Sequence, residues 1–262
     1  MTNMHFVAYA SIYAFSLFIG LLVCVKIGYF LGRRFRASKV EEDKDVGEGA
    51  LDAAVFGLLG LLLAFSFSGA LSTYGAHRDL LGEEASAVRG AYTRIDLLPA
   101  ASQSPLRILV RQYVQARIDT YQAVIYSPAA DAAAARSRQL EEQIWKEAFD
   151  AAIASGNPAI ISQVVDSFDK MFDAPERQQI AQYKHPPLVI YVLMFAVAMM
   201  AALLAGYGMA AHSTLPIMHS VIFAAAVSIT IYVIVDLEYP RFGFFNPDPT
   251  NRILVETLHG MR

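Results

Sequence analysis

The sequence predicts an all-helical, four-span integral membrane protein with a helical soluble domain between the second and third spans. The 262-residue chain is 55% hydrophobic, with mean hydropathy +0.38, which is too apolar for an ordinary soluble protein. Four apolar segments each approach the roughly 20 residues that a helix needs to cross a bilayer. The segments between them carry helix punctuation and no strand alternation or Asn-Gly hairpin signal.

We divide the chain into five regions on this basis. The order is a first span with a basic and acidic loop, a second span that continues into an amphipathic helix, a soluble helical domain, the third and fourth spans, and a C-terminal tail. The predicted boundaries are 1–50, 51–98, 99–186, 187–236 and 237–262.

The first span covers residues 8–31. No Lys or Arg precedes it and no small-residue cleavage site follows it, so we expect a retained anchor rather than a cleaved signal peptide. The loop that follows is basic and then acidic (41–50), with its cations at Arg33, Arg34, Arg36 and Lys39. A basic loop beside a span marks the cytoplasmic side, whether or not it also binds anionic lipid. This predicts that the N-terminus, the helical domain and the tail lie outside the cytoplasm.

The second span begins the segment 51–98, around which the chain is organised. No charged residue occurs from Ala53 to Tyr74, and small residues recur on one side of the helix, at Gly57, Gly60, Ala64, Ser68 and Ser72. Beyond Tyr74 the composition turns polar, but apolar residues keep a helical spacing at Leu81, Ala85, Val88, Tyr92 and Ile95. We predict one unbroken helix, half in lipid and half in water, that stops at Pro99.

Proline and glycine signals divide region 99–186 into helices. We expect helix starts at Ser104-Pro105, Ser127-Pro128 and Asn157-Pro158, because a capping residue precedes a proline at the first helical position. Gly156 is expected to end one helix. A last short helix is expected to begin near Asp173 and Pro175.

The third and fourth spans are predicted at Leu188–Ala211 and Ile217–Val235, joined by a tight loop. Asp236 and Glu238 then follow, and we expect them to be interfacial, with pairing to Arg78 or cation binding as the alternative. The tail carries an aromatic segment at 242–245 and a short amphipathic helix at 250–260.

The sequence contains no catalytic or cofactor motif. Its six histidines have no metal-ligand spacing, and no CxxC, GxSxG or phosphate-binding loop occurs. We interpret Cys24 as a packing residue and the pairs Glu83-Glu84 and Glu141-Glu142 as solvated helix faces. We therefore expect no enzyme activity, no metal and no cofactor. The net charge of −3 lacks the excess of positive charge that is typical of nucleic-acid-binding proteins.

A passive pore is the transport function that fits. Spans two to four contain no internal Asp, Glu, Lys or Arg, which argues against a proton relay or a tightly coupled transporter. One face of span two carries residue types that are typical of the lining of a weakly selective pore: Gly57, Leu61, Phe65, Ser68 and Ser72. Helix packing is the alternative explanation of its small residues. His77 and Arg78 follow as interfacial anchors or as a positive pore mouth that favours anions.

Several segments resemble the bacterial bestrophin-like family of unknown function, which is distantly similar to the bestrophins. They are residues 64–99 (AFSFSGALSTYGAHRDLLGEEASAVRGAYTRIDLLP), 106–118 (LRILVRQYVQARI), 235–245 (VDLEYPRFGFF) and the basic loop. Bestrophins are pentameric, ligand-gated anion channels, so the resemblance implies a homo-oligomer that passes small anions. Their pore-neck phenylalanine would match Phe65, and earlier neck positions would fall on Leu61 and Gly57.

The chain departs from that pattern at three points. Gly57 is not bulky, and Arg78 is followed by Asp79 and Leu80 rather than by an aromatic pair. Bestrophins also keep their helical part in the cytoplasm, whereas the basic loop here predicts the opposite side. Two hypotheses stand: an oligomeric chloride channel of the bacterial inner membrane, and a membrane-anchored helical sensor or scaffold without transport activity.

Overall fold

The computed structural model describes residues 3–36, 46–123, 127–181, 186–210, 214, 216–238 and 249–261. In the first, second and last of these ranges, side chains are described only for residues 11–35, 49–123 and 252–261. These residues form α-helices and one short 3-10 helix, and no strand occurs among them. In chain order they are α1 (Asn3–Arg36), α2 (Val46–Arg94), the 3-10 turn Ile95–Leu97, α3 (Ala100–Gln122), α4 (Pro128–Ala154), α5 (Pro158–Ala181), α6 (Leu188–Met209), α7 (Ile217–Glu238) and α8 (Pro249–Gly260).

Among the described residues, four helices are long and apolar enough to cross a membrane, in agreement with the number predicted: α1, α2, α6 and α7. The helix α2 starts at Val46 rather than at Leu51, because no proline lies in between and a helical glycine costs only about 1 kcal/mol. The acidic residues 41–45, Lys39 and the aromatic residues 242–245 lie outside the described residues.

The prediction of an unbroken second helix is confirmed. Helix α2 runs from Val46 to Arg94 and ends in the 3-10 turn just before Pro99. The apolar spacing of its second half is also confirmed, because Leu81, Ala85, Val88 and Ile95 are buried and Tyr92 packs against the same core.

Two of the predicted helix starts are observed. The Ser127 side chain accepts a hydrogen bond from the Ala130 amide at 3.2 Å, with Pro128 at the first helical position. The Asn157 side chain accepts one from the Ala159 amide at 2.9 Å, which starts α5. Between them, Gly156 has φ +66°, a left-handed conformation that favours glycine and ends α4.

The other two predicted starts are wrong. Pro105 lies inside α3, which begins five residues earlier, where the Gln103 side chain donates to the Leu98 carbonyl at 2.8 Å and ties the first turn to the preceding segment. Pro175 lies inside α5, where the buried Met171 and Ala174 hold the helix across the missing amide. The lost backbone hydrogen bond is outweighed in α5 by burial on both sides of Pro175, and in α3 by the Gln103 hydrogen bond before Pro105 and the burial of Leu106 and Val110 after it.

The chain divides into two compact units, and the division falls within α2 between Tyr74 and Gly75. One unit comprises residues 75–184 with 1–3 and 246–262. Its core is built by the second half of α2 and by α3, α4, α5 and α8, with α3 packed along α4 and also against α8. Its largest fully buried side chains include Tyr113, Phe168, Ile144 and Leu254.

The other unit comprises residues 4–74 and 185–245. Its core contains residues of α1, the first half of α2, α6 and α7. The backbones of α1 and α6 approach closely at Gly28, Gly32 and Gly206, where an added Cβ would overlap the other helix. A close approach of two helix backbones at small residues thus occurs between α1 and α6, and not at Gly57 or Gly60, where the sequence pattern allows one.

Candidate functional site

The five predicted pore-lining residues lie on one exposed face of α2, which we call the α2 face: Gly57, Leu61, Phe65, Ser68 and Ser72. The side chains of Leu61 and Phe65 are 53% and 68% exposed in the single chain. The opposite side of the helix is buried, with Leu59 and Ala70 at 3% and 1% exposure. Their spacing of three and four residues aligns the five positions, since an α-helix has 3.6 residues per turn.

Packing by another helix of the same chain does not explain the small residues of this face. No described atom lies within 4 Å of a Cβ built at Gly57 or Gly60. At Gly28 the same construction meets the carbonyl oxygen of Leu203 at 1.9 Å. The α2 face is thus open to whatever surrounds the single chain.

His77 and Arg78 follow the α2 face along the same helix. Arg78 is exposed, as a pore-mouth or interfacial cation would be, whereas His77 is half-buried and makes an interaction. Asp236 and Glu238 are each only 1% exposed, and their position at the membrane interface stays a prediction. Both side chains make interactions within the structure.

A buried charge cluster, formed by Glu84, Arg117, Tyr121 and Gln178, lies in the unit that contains residues 75–184. The Glu84 side chain is fully buried and that of Arg117 is 13% exposed. Arg117 Nε donates to Glu84 Oε1 at 2.8 Å, and Arg117 Nη2 donates to the Tyr121 hydroxyl oxygen at 2.6 Å. The interpretation of Glu84 as a solvated residue is therefore wrong, whereas its neighbour Glu83 is exposed.

The Tyr121 hydroxyl completes the cluster. It donates its single proton to Glu84 Oε2 at 2.8 Å, so both carboxylate oxygens of Glu84 are engaged. The hydroxyl also contacts the side-chain amide of the buried Gln178. The cluster thus joins α2, through Glu84, to α3, through Arg117 and Tyr121, and to α5, through Gln178.

Burial and neighbouring charges shift the pKa values of three groups in and around the cluster. Burial opposes the charge of Arg117, but Tyr121 and Glu84 outweigh burial and raise the pKa of its guanidinium. Burial raises the pKa of the Tyr113 phenol, which keeps that ring neutral. Burial also raises the pKa of the Glu141 carboxyl, against the attraction of Arg117.

The sequence held a signal for this cluster. Glu84 lies three residues after Leu81 and four before Val88, so it falls on the apolar seam of α2 that was expected to be buried. A carboxylate on a buried seam needs a partner. The side chain four residues after Arg117 on α3 is Tyr121, which provides a second group on the same helix face.

No group of three or more His, Cys, Asp or Glu side chains is arranged to hold a metal ion in the described part of the chain. Two features of the fold therefore stand out as candidate sites. They are an exposed, charge-free face on the first half of α2 and a buried charge cluster on its second half.

Four apolar helices of membrane-spanning length combined with a helical domain define an all-helical membrane protein. The family model described as the Bestrophin-like domain matches residues 19–250, and the chain belongs to this family. The resemblance seen in the sequence is thereby confirmed. Comparison with curated protein sequences gives no significant match.

The fold is that of bacterial bestrophin homologues. A crystal structure of a point mutant of the Klebsiella pneumoniae homologue matches with TM-score 0.74 at 12% identity, covering 95% of this chain and 95% of that chain. A second mutant structure of the same protein matches with TM-score 0.72 at 13% identity, covering 95% and 97%. A structure of that homologue phased with zinc matches with TM-score 0.71 at 12% identity, covering 94% and 96%.

Proposed function

We propose that the chain assembles as a homo-oligomeric channel for small anions such as chloride in the bacterial inner membrane, and that the α2 face lines its pore. Membership of the Bestrophin-like family supports the proposal, because bestrophins are anion channels. The observation that carries it is the α2 face, which is exposed along its length and free of charge. A single helix cannot enclose a passage, so the pore requires several copies of α2 around an axis.

The composition of the α2 face suits weak anion binding. Leu61 and Phe65 would narrow the pore and gate it by dewetting, while the Ser68 and Ser72 hydroxyls would donate to a partly dehydrated anion. His77 and Arg78 would add positive potential at one mouth and raise the local anion concentration. The small Gly57 would leave its turn of the pore wide, so the constriction belongs to Leu61 and Phe65.

Four membrane spans are part of the proposal, with the helical domain 99–186 between the second and third and the tail 237–262 after the fourth. The basic residues Arg33, Arg34, Arg36 and Lys39 support a cytoplasmic loop after α1 and hence a helical domain outside the cytoplasm. A reporter fused after Ala130 tests this orientation. Activity only from a reporter that works in the cytoplasm would reverse it.

Chloride flux from liposomes containing the purified protein tests the channel directly. We expect Phe65→Ala and Leu61→Ala to increase flux, because each removes a wide apolar group from the constriction. The matched control is Ile222→Ala on α7, whose side chain is similarly exposed at 59% and lies on another helix. Flux that is the same in all three variants and the wild type would remove Leu61 and Phe65 from the gate.

The oligomeric state separates the channel from a sensor or scaffold. A channel of this kind should purify as a defined homo-oligomer and should pass chloride without any added protein. A stable monomer that passes no chloride and co-purifies with a second protein would favour the scaffold, with the continuous helix α2 as its link across the membrane.

A further inference from the structure

The buried charge cluster joins the second half of α2 to two other helices of the unit that contains residues 75–184. Its Glu84 lies on α2, and both Glu84 oxygens accept hydrogen bonds from α3, from Arg117 Nε and from the Tyr121 hydroxyl, each at 2.8 Å. Gln178 brings α5 to the same hydroxyl. Two helices therefore meet directly at one fully buried carboxylate, and a third reaches the cluster through the Tyr121 hydroxyl.

Stability alone does not account for this arrangement. Moving two charged groups out of water costs several kcal/mol per ion, and apolar side chains of similar volume often stabilise such a site equally well or better. The carboxylate of Glu84, with both of its oxygens hydrogen-bonded, is instead strongly directional, because these hydrogen bonds hold only in one geometry.

The geometry fixes both the height and the rotation of α2. A shift of α2 by one residue would rotate Glu84 by about 100° and translate it by about 1.5 Å. Either motion would break the contacts with Arg117 and Tyr121 and leave a buried charge unpaired. Apolar neighbours such as Leu81 and Val88, by contrast, tolerate small slips because their contacts have no direction.

We infer that Glu84 and Arg117 are positioning residues that set the rotation of α2 and, through its unbroken helix, the direction in which the α2 face points. The residues of the helix before Gly75 offer a marker for this rotation, because Ala70 is buried and Ser72 is exposed. Ala70 lies about 20 Å from Glu84 along the helix, too far for a local effect of the cluster. The consequence for conduction rests on the proposed channel function.

The experiment measures how fast N-ethylmaleimide modifies a cysteine at position 70 in a Cys24→Ala background, in the full-length protein in nanodiscs. The rate for Ala70→Cys is measured in three proteins. One has the cluster intact, one carries Glu84→Gln, and one carries Glu84→Met together with Arg117→Leu, which leaves no buried charge behind. Ala198→Cys on α6, fully buried in the same unit as Ala70, is the matched control. Chloride flux is measured on the same preparations.

We expect both cluster variants to raise the modification rate of Ala70→Cys about tenfold, which corresponds to a decrease of about 1.4 kcal/mol in the free energy of the local opening that exposes this cysteine. The rate for Ala198→Cys should stay unchanged. Chloride flux should change in the same variants. An unchanged rate at Ala70→Cys in both variants would overturn the inference, even if the wild type conducts chloride. Equal acceleration at Ala198→Cys would also overturn it, because the effect would then be general loosening.

The two proposals fail separately. If Ala70→Cys becomes reactive on its own but no variant passes chloride, the channel function is wrong and the positioning role of the cluster stands. If chloride flux is present and the modification rates are unchanged, the channel function stands and Glu84 and Arg117 do not position α2.

Discussion

Gly28 on α1 and Gly206 on α6 both lie where the backbones of these two helices approach each other closely. A Cβ built on Gly28 would lie 1.9 Å from the carbonyl oxygen of Leu203, and one built on Gly206 would lie 1.9 Å from that of Val25. Each glycine thus removes the side chain that would hold the two helices apart, as small residues do in membrane helix pairs.

Gly206→Ala should destabilise the protein by at least about 1–3 kcal/mol, because α1 and α6 must separate to admit one methyl group. The measurement is thermal unfolding in detergent. Gly208→Ala is the control on the same helix, where no described atom lies within 4 Å of the new Cβ. It should be neutral or slightly stabilising, since alanine favours a helix over glycine, and equal losses in both variants would contradict a close helix crossing.

Arg117→Leu alone should be strongly destabilising, by about 3–5 kcal/mol, because it leaves the buried Glu84 carboxylate without its cation. Adding Glu84→Met should recover most of that loss, since the double variant has no buried charge. Chemical unfolding of the single and double variants measures the coupling. Additive losses would mean that the two groups do not form a pair in solution.

Glu141→Gln should change how stability depends on pH. Burial raises the pKa of this carboxyl in the folded state above its ordinary value, so the folded protein holds the proton more tightly than the unfolded chain does. The stability that Glu141 contributes is then fully present below the unfolded pKa and is lost as the pH rises through the folded pKa. Glu141→Gln should therefore raise Tm at pH 7 and lose that advantage at about pH 4.

The neighbouring exposed residue supplies the control for this measurement. Glu142→Gln removes the same charge from the adjacent position of α4 and should not reproduce the gain at pH 7. A Tm difference between Glu141→Gln and wild type that is constant from pH 4 to pH 7 would show that the carboxyl proton is not involved.

Leu254→Ala should destabilise the unit that contains residues 75–184 by about 2–5 kcal/mol, because it leaves a cavity in that core. Leu254 is 1% exposed and belongs to the core cluster, although it lies only eight positions before the last residue of the sequence. Arg252→Ala on the same helix removes an 81% exposed side chain that pairs with Glu256 and should cost less than about 1 kcal/mol. Similar Tm values for both variants would mean that α8 is not packed in the core.

The sequence by itself determined the number of apolar helices and the continuity of α2. Apolar length and helical period are local properties, and they persist wherever the helix is placed, as Leu81, Ala85, Val88 and Ile95 illustrate by their burial. Local capping chemistry likewise fixed the starts at Ser127 and Asn157 and the stop at Gly156. The family was recognisable for the same reason, because its segments are contiguous in the chain.

Tertiary structure decided the rest. Pro105 and Pro175 remain inside helices because tertiary contacts of the neighbouring residues outweigh one missing hydrogen bond. The two partners of Glu84 are 33 and 37 positions away, on a helix whose arrangement no local pattern encodes. A carboxylate expected to be solvated therefore becomes part of a buried network. The surroundings of the glycines also depend on tertiary structure. A Cβ built at Gly57 would have no described atom within 4 Å, whereas one built at Gly28 would meet the backbone of α6. The difference arises because another helix packs beside Gly28 and none of the described helices packs beside Gly57.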